Sequence, residues 1–277
     1  MSKKRILITG AGSGFGRESA LRLAQDGHQV IATVQNEKQI PELKQAAAVR
    51  GTEMQVKKLD LLSDSDRDAA LQWEIDVLVN NGAIGEGGPI AEIPLQLVRN
   101  VFEVNLFSTL ALTQGFVKKM VKLGSGRVIF VSSIAGLVSG AYLGPYAASK
   151  HALEAIADSM RVELAPYGIQ VATLNPGPYA TGFNDRMVES YRRWYDPKRN
   201  FTRPEDLVKL EQRFEKQFDP EEIFRALVAL AESESGKYRN VLPRESEDFV
   251  RKSQQESWDR VQTELRTKKE TPPRQAA

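Results

Sequence analysis

The 277-residue chain contains no cysteine, only two histidines and almost no net charge. Without cysteine it can form no disulfide, no thiolate metal site and no cysteine nucleophile, and two distant histidines predict no metal site. Its 38 Lys and Arg residues nearly balance 36 Asp and Glu residues, whereas nucleic-acid-binding proteins usually carry a basic excess on one face. No apolar run approaches the ~20 residues that span a bilayer, and the basic start lacks the apolar segment of a signal peptide. We therefore expect a cytoplasmic protein without nucleic-acid or membrane partners.

Short apolar runs alternate with longer helical patterns along most of the chain. Several runs, such as Val128–Val131, are apolar throughout, which is typical of strands covered on both faces. This alternation predicts an α/β fold with a parallel sheet, right-handed crossovers and helices on both faces. The predicted strands are Arg5–Thr9, Gln29–Thr33, Glu53–Lys58, Val77–Asn80, Arg127–Ser132, Gln170–Asn175 and Tyr238–Leu242. The predicted helices are Gly16–Asp26, Glu37–Arg50, Ser63–Trp73, Leu95–Lys122, Tyr146–Ala165 and Pro220–Glu232.

A glycine-rich loop follows the first predicted strand directly. Thr9-Gly10 is followed by Gly14 and Gly16, where a helix is predicted to begin. Glycine lets a backbone approach a diphosphate closely, and a helix N-terminus offers that anion free N–H groups and a partial positive charge. The spacing fits TGxxxGxG and not GxGxxG. We interpret the loop as a dinucleotide-binding site; the alternative is a tight turn without a ligand.

Polar residues also follow the second and third predicted strands. After the second strand, an acid would bind the ribose 2′-OH of NAD, and an arginine would accept the 2′-phosphate of NADP. The chain has Gln35 and Asn36 there, so the cofactor is NAD or NADP and the preference stays open. Asp60 ends the third strand, where its carboxylate either reaches the adenine amino group or caps the next helix.

Tyr146 and Lys150 lie four residues apart in a predicted helix, so both side chains share one face. Ser133 follows the fifth strand, at the edge where parallel α/β sheets bind ligands. Hydride transfer at a carbon that bears oxygen needs an acid or base at that oxygen, and a phenol serves if its pKa falls from about 10. We expect the Lys150 ammonium to lower the pKa of Tyr146, and Ser133 to orient the substrate oxygen.

These motifs together resemble the compact form of the short-chain dehydrogenase/reductase family. The matching residues are Thr9-Gly10-x-x-x-Gly14-x-Gly16, Asp60, Asn80-Asn81, Asn105, Ser133, Tyr146-x-x-x-Lys150 and Pro176-Gly177-x-x-x-Thr181. The resemblance covers residues 5–182 and implies a Rossmann-type, doubly wound parallel sheet of about seven strands in a homodimer or homotetramer. One departure is Asn80-Asn81-Gly82-Ala83, where the family usually has Asn-Asn-Ala-Gly.

The resemblance also assigns roles to individual residues. It implies a catalytic tetrad of Asn105, Ser133, Tyr146 and Lys150, in which the backbone of Asn105 holds a water that connects the lysine to solvent. The residues that it implies for cofactor binding, together with the turn residues named above, are Gly10, Ser13, Gly14, Phe15, Gly16, Gln35, Asp60, Leu61, Asn81, Gly82, Ala83, Tyr146, Lys150, Pro176, Gly177 and Thr181.

Residues 178–218 interrupt the alternation and combine aromatic side chains with many charges. Long insertions in compact domains often act as lids. We therefore expect a single catalytic domain over residues 1–250, a substrate lid at about 178–218 and a polar C-terminal extension over 251–277, with the last dozen residues frayed. The aromatic content favours a largely apolar substrate. The candidate substrate-binding residues are Ser133, Tyr142, Leu143, Tyr179, Phe183 and Met187.

The predicted function is an NAD(P)-dependent oxidoreductase that interconverts a secondary alcohol and a ketone by hydride transfer, with Tyr146 as general acid/base. A catalytically silent dinucleotide-binding or sensor protein on the same fold is the alternative. A sugar-nucleotide epimerase is disfavoured, because those extended relatives usually show TGxxGxxG and Ser13 stands where the second glycine would be.

Overall fold

The computed structural model describes residues 2–261, which form one sheet of seven parallel strands. The strand order is β3-β2-β1-β4-β5-β6-β7, so the crossovers reverse direction between β3 and β4. The strands are β1 (Arg5–Ile8), β2 (Gln29–Val34), β3 (Gln55–Lys58), β4 (Val77–Asn80), β5 (Gly126–Val131), β6 (Ile169–Pro176) and β7 (Arg239–Leu242). The predicted Rossmann-type α/β fold is confirmed.

Helices connect the strands and cover the sheet. They are α1 (Gly14–Gln25), α2 (Ile40–Val49), α3 (Asp64–Ala70), α4 (Leu95–Phe102), α5 (Thr109–Leu123), α6 (Gly144–Leu164), α7 (Phe183–Val188), α8 (Pro204–Gln212), α9 (Glu221–Glu232) and α10 (Arg244–Ser257). The helix predicted over Leu95–Lys122 is divided into α4 and α5 by a π-helical turn, Glu103–Ser108. Helix α10 crosses the expected boundary at residue 250, and the last dozen residues lie outside the described chain.

Each strand contributes to two cores, which explains the continuous apolar runs in the sequence. Ile6 and Ile8 of β1 belong to a cluster that includes Leu227 of α9. Leu7, between them, belongs to the opposite cluster with Phe116 of α5 and Leu153 of α6. Because successive strand side chains point to opposite faces, only a strand covered on both sides needs apolar residues at every position.

The segment expected to be a lid begins and ends at one narrow connection. The N–H of Phe218 donates to the carbonyl of Pro178 (2.8 Å), and the N–H of Ala180 donates to the carbonyl of Phe218 (2.9 Å). Between these bonds lie α7, a 3-10 turn and α8. Over residues 2–261, no helix combines the length and the hydropathy needed to cross a bilayer.

Candidate active site

The hydroxyl of Thr9 ties the carboxyl ends of β1 and β4 together. Its Oγ1 accepts hydrogen bonds from the N–H groups of Asn81 (3.0 Å) and Gly82 (2.9 Å). The Asn81 side-chain amide donates back to the carbonyls of Thr9 (2.9 Å) and Gly10 (3.1 Å). These bonds hold the glycine loop against the turn after β4, so two motifs distant in sequence form one surface.

Close backbone approach explains the glycines on this surface. Gly10 has a φ of +66°, and a Cβ there would lie 2.6 Å from the Cα of Gly82. A Cβ on Gly16 would lie 2.4 Å from Asn81 Nδ2 and 2.7 Å from the carbonyl of Gly10. Gly82 does not have a left-handed φ, so its backbone conformation does not require glycine. Glycine at position 82, where the family usually has alanine, instead leaves space for the close approach of Gly10.

Ser133, Tyr146 and Lys150 meet at the carboxyl end of β5. The Ser133 hydroxyl accepts a hydrogen bond from the N–H of Ala135 (3.1 Å), donates to the carbonyl of Pro176 (3.5 Å) and lies next to the Tyr146 phenol. Lys150 Nζ lies 5.7 Å from the centre of the Tyr146 ring and donates to the carbonyl of Val131 (2.8 Å). Tyr146 is 7% exposed and Lys150 is 2% exposed, so both polar groups lie in a nearly dry site.

Burial controls how both groups ionise. It raises the pKa of Tyr146 to about 12, and the neighbouring Ser133 hydroxyl offsets part of that rise. Burial lowers the pKa of Lys150 to about 8, against the opposing attraction of Glu154 one turn further along α6. The expectation that Lys150 makes the phenol acidic is wrong for this arrangement. The ammonium is directed at the Val131 carbonyl, and desolvation penalises the phenolate more than any neighbour stabilises it.

The side chain of Asn105 braces the site from the π-helical turn. Its Oδ1 accepts from the N–H of Ile84 (2.9 Å), and its Nδ2 donates to the carbonyl of Ile84 (2.9 Å) and to Ser149 Oγ (3.0 Å). Ser149 immediately precedes Lys150. Asn105 therefore connects the loop after β4 to the helix that carries Tyr146 and Lys150, and both amide protons are used in doing so.

A buried polar network behind Ser133 escaped the sequence analysis. Asn175 Nδ2 donates to the carbonyl of Ser133 (3.2 Å) and to Glu154 Oε1 (2.6 Å). The other oxygen of Glu154 accepts from Arg239 (3.1 Å), and Glu154 is 5% exposed. A glutamate on an amphipathic helix usually faces solvent, so the pattern gave no signal that this carboxylate lies inside the protein.

A cavity of about 230 Å³ runs from the glycine loop to Tyr146. Most of the predicted cofactor-binding residues line it; these are Gly10, Ser13, Gly14, Phe15, Gln35, Asn81, Gly82, Ala83, Tyr146, Lys150, Pro176, Gly177 and Thr181. Arg186, Gln39 and Asn184 also line it and were not anticipated, because the chain folds the start of the lid and the turn after β2 back over the loop.

Three predicted cofactor-binding residues lie outside this lining: Gly16, Asp60 and Leu61. Asp60 Oδ1 accepts from the N–H of Leu62 (3.1 Å), and helix α3 is capped by Ser63 and not by Asp60. Leu61 packs against Gly82. Gly16 acts on the loop indirectly, through the tight contact with Asn81 described above.

The residues of this cavity fit a dinucleotide. No side chain caps the first turn of α1, so its N–H groups beside Ser13 and Gly14 are available to a diphosphate. A Cβ on Gly10 would block the close approach of the two loops that shape the cradle. At the end of β2 the lining residues are Gln35 and Gln39, with no acid and no cation, so NAD versus NADP remains open.

A second cavity, of about 320 Å³, lies beside the first under the lid. Its walls are largely apolar, with Val138, Leu143, Met187, Phe214 and Phe249 among them. Of the predicted substrate-binding residues, Ser133, Leu143 and Met187 line this cavity. Phe214 and Phe249 were missed because they come from the far end of the lid and from α10, where no periodic signal marks an inward face.

The remaining substrate candidates have other positions. Phe183 and Tyr179 line the first cavity, and the Phe183 ring packs on Tyr146 at 5.5 Å between centres. Tyr179 is 1% exposed, packs edge-on against Phe15 and donates its hydroxyl proton to Glu222 (3.0 Å). Tyr142 lines neither cavity; its carbonyl accepts from the N–H of Gly88 (2.7 Å).

Polar contacts join the lid to the loop between β4 and α4. Glu92 accepts from the N–H groups of Phe201 (2.6 Å) and Thr202 (3.1 Å). Glu86 pairs with Arg193 at 2.5 Å. Both carboxylates stand in a stretch that reads as an ordinary polar loop, so only the folded chain identifies them as lid contacts.

Comparisons with known proteins agree with this geometry. A family model described as short chain dehydrogenase matches residues 4–192. The uncharacterized oxidoreductase YusZ of Bacillus subtilis (strain 168) is 34% identical over 198 residues, which cover 69% of this chain and 70% of that protein. Retinol dehydrogenase 8 of Homo sapiens is 34% identical over 192 residues, which cover 67% of this chain and 62% of the relative, less than two thirds of its length.

A solved structure extends the comparison to a bound cofactor. An actinorhodin polyketide ketoreductase variant with NADPH superposes with a TM-score of 0.72 at 26% identity, over 86% of this chain and 95% of that one. The superposed share of the chain is larger than the share that the family model matches, residues 4–192.

Proposed function

The chain belongs to the short-chain dehydrogenase/reductase family of NAD(P)-dependent oxidoreductases, which act on CH–OH groups, and from that premise we propose that it interconverts a secondary alcohol and a ketone. The cofactor is NAD or NADP. The proposed general acid/base is Tyr146, and the proposed substrate is largely apolar.

The observation that supports this most is that Ser133, Tyr146, Gly177 and Asn184 line both cavities. The two hydroxyl groups therefore stand at the junction between the glycine-lined crevice and the apolar cavity. A substrate carbonyl that enters the largely apolar cavity meets these two hydroxyls where the cavity adjoins the glycine-lined crevice. This arrangement suits a reaction between a group in one cavity and a group in the other.

The proposed mechanism assigns one task to each side chain. When bound, the nicotinamide supplies or accepts the hydride. The Ser133 hydroxyl donates a hydrogen bond to the substrate oxygen and fixes its position. The raised pKa keeps the Tyr146 phenol protonated at neutral pH, and this is the form that can give its proton to the substrate oxygen during ketone reduction.

Lys150 and Asn105 support the phenol. The Lys150 ammonium stands beside the Tyr146 ring in the same cavity lining and would hold the ribose hydroxyls of a bound dinucleotide next to the phenol. Asn105 holds Ser149 and thereby the start of α6, so its side chain positions the lysine. The proposed role of its backbone in a proton relay remains a prediction.

The apolar second cavity supports a hydrophobic substrate. A volume of about 320 Å³ lies at the lower end of the range for small-molecule sites, which is ~300–1,000 Å³. Retinol, named in one relative, is itself a largely apolar alcohol. For this chain the same class of substrate is our proposal, and the cavity walls are its main support.

The direct test measures cofactor and substrate together. NADH and NADPH are titrated separately against the protein, and each is then offered with a panel of apolar and polar ketones. We expect saturable binding of at least one cofactor and turnover that favours apolar ketones. Cofactor binding without turnover across the whole panel would overturn the proposal and favour the silent dinucleotide-binding alternative.

We also propose self-association through the helices around β5. Phe107, beside α5, is 54% exposed and Val162 of α6 is 61% exposed, so apolar side chains stand on the outer faces of these helices. A homodimer or homotetramer would cover them. Sedimentation equilibrium would detect it, and a Phe107→Glu variant that stays at the wild-type mass would overturn this interface.

A further inference from the structure

The apolar second cavity contains one charged side chain, which the proposed reaction does not use. Among the described residues that line it, Arg213 alone is charged, and no carboxylate faces it. Arg213 follows the last residue of α8, in the lid, and its side chain is exposed. The cavity therefore has a buried floor with two hydroxyls, apolar walls and a cationic rim.

Three of the six arginines in the lid are paired with carboxylates. Arg192 pairs with Glu211 at 2.8 Å, Arg193 with Glu86 at 2.5 Å and Arg203 with Asp206 at 3.1 Å. Within residues 2–261, Arg213 has no such partner. Arg186 and Arg199 also lack a carboxylate partner there, but of the three only Arg213 lines the apolar cavity, so its guanidinium is available to an anion that enters that cavity.

The chemistry of a guanidinium narrows the class of that anion. Its planar N–H groups match the two oxygens of a carboxylate and bind both at once. Because Arg213 is exposed, solvent screens part of this attraction, although the apolar walls beside it screen less than bulk water does. A neutral substrate would gain less from Arg213, since it can accept a hydrogen bond but offers no charge.

We propose that the substrate is an apolar ketone or secondary alcohol that carries a carboxylate at the end remote from the reacting carbon. This inference rests on the proposed function and specifies its substrate. The reacting oxygen lies at the buried floor beside Ser133 and Tyr146, the hydrocarbon fills the walls, and the carboxylate reaches Arg213 at the exposed rim. An oxo fatty acid has this architecture.

A second unpaired arginine, in the first cavity, is another place where a substrate carboxylate could bind. Arg186 lines the first cavity together with the glycine loop, where the phosphates of the cofactor would lie. An anion bound there belongs to the cofactor and not to the substrate. Arg186 would therefore bind an anion of the cofactor and Arg213 an anion of the substrate, so the test includes variants of both.

The experiment compares a medium-chain oxo acid, whose ketone is remote from the carboxylate, with its methyl ester. The two compounds share a skeleton and differ in charge. For the wild-type protein we expect kcat/KM for the acid to exceed that for the ester by about tenfold, which is ~1.4 kcal/mol. The preference arises in KM, because the carboxylate binds ground state and transition state alike. It should weaken as salt is added.

Three matched variants locate the preference. Arg213→Gln should bring the acid-to-ester ratio close to one. Arg199→Gln is the control, because Arg199 is an exposed arginine of the same lid that lines neither cavity, and the ratio should stay at the wild-type value. A wild-type ratio near one, or a ratio that survives in Arg213→Gln, overturns the inference. A ratio lost only in Arg186→Gln also overturns it and puts the carboxylate in the cofactor crevice.

Calorimetric titration separates this inference from the proposed function. The acid and the ester are titrated into the cofactor-saturated protein and into the Arg213→Gln variant, so binding is measured without turnover. An Arg213-dependent preference for the acid with no turnover of either compound supports the carboxylate site and refutes the oxidoreductase function. Equal binding and equal turnover of acid and ester support the function and refute the carboxylate site.

Discussion

The sheet edge and the lid above it are held in place by different forces. At the edge, Thr9, Asn81 and Asn105 each make two or more hydrogen bonds to backbone atoms of another segment. In the lid, ion pairs such as Arg192–Glu211 connect side chains that solvent still reaches. Backbone bonds in a dry site fix geometry, whereas exposed pairs are weak and screened by salt.

This difference suggests a division of labour. The rigid edge holds the groups that must be placed accurately for chemistry, because small displacements of reacting atoms cost much of the rate. In our proposal the lid carries side chains that select a substrate, and its weaker attachment would allow it to open. Changes at the edge should therefore have large effects on rate and stability, and changes in the lid should have small ones.

The strongest test of the edge is Tyr146→Phe, which removes one hydroxyl and keeps the ring. We expect kcat to fall by about 10³-fold, because general acid catalysis contributes ~10²–10⁴. Cofactor affinity should change little, since the ring still packs on Phe183. Steady-state kinetics and a cofactor titration check both points. The control is Tyr167→Phe, because Tyr167 lies on the surface and is 52% exposed. A Tyr146→Phe enzyme as active as this control would refute the proposed acid.

Gly16→Ala tests whether the glycine loop is rigid. Alanine would gain up to ~1 kcal/mol of helix propensity at this helical position. The new Cβ, however, would lie 2.4 Å from Asn81 Nδ2 and 2.7 Å from a backbone carbonyl that cannot easily move. Overpacking of this kind costs ~1–3 kcal/mol, so after the propensity gain we expect a net loss of unfolding free energy of about 1 kcal/mol and weaker cofactor binding.

Gly12→Ala is the matched control for that loss. A Cβ on Gly12 would meet only the end of the Gln39 side chain, which can rotate away. We expect urea denaturation to show a change below about 0.5 kcal/mol for this variant. Equal losses in the two variants would mean that the loop is adjustable throughout and that the contrast with the lid is false.

The sequence predicted the sheet and its edge better than the lid, because only the sheet and its edge have a recognisable residue pattern. The sheet was predictable because Ile6, Leu7 and Ile8 are apolar at consecutive positions, which requires two covered faces. The site was predictable because polar residues after successive strands of a parallel sheet must converge at one edge. Ser133 was found in this way, whereas Tyr146 was found through its four-residue spacing from Lys150 in a predicted helix.

Other features depend on contacts that no local pattern encodes. The direction of the Tyr146 pKa shift was wrong because desolvation depends on how completely neighbours cover the hydroxyl, and only the folded chain gives that coverage. Phe249 reaches the second cavity from α10, more than 100 residues after Ser133 in the sequence. Glu154 was missed for the same reason, because its partner Arg239 lies on β7.

The burial of Lys150 at the sheet edge should make the unfolding free energy of the protein depend on pH. Its folded pKa is lowered to about 8, below the 10.5 of an unfolded lysine. Between these values the unfolded chain holds more protons than the folded one, so unfolding free energy rises with pH from about 8 and is flat below. Over the two pH units between 7.5 and 9.5, the unfolding free energy should rise by roughly 2 kcal/mol at most.

Lys150→Met should remove this rise, which urea denaturation at pH 7.5 to 9.5 measures. The range stays below pH 10 because the raised pKa of Tyr146 has the opposite sign there: the unfolded phenol ionises first, and stability falls. Lys216→Met, an exposed lysine in the lid, should keep the wild-type slope. A slope that Lys150→Met leaves intact would show that the buried ammonium is not the source.

The smallest expected effect concerns the seam between lid and body, where adjacent arginines differ in their partners. Arg193 pairs with Glu86, whose side chain is 9% exposed and whose second oxygen finds no hydrogen-bond partner within the described chain. Arg193→Gln leaves that carboxylate buried and alone, which costs about 1–2 kcal/mol, less some screening because Arg193 itself is 62% exposed. Arg192→Gln removes a pair that solvent reaches on both sides and should cost at most about 0.5 kcal/mol.

Urea denaturation at low and high salt distinguishes the two variants, because only the loss of stability in Arg193→Gln should persist in salt. Equal and salt-sensitive losses would mean that the seam is an ordinary surface contact, so the lid would be attached by its narrow connection and aromatic packing alone.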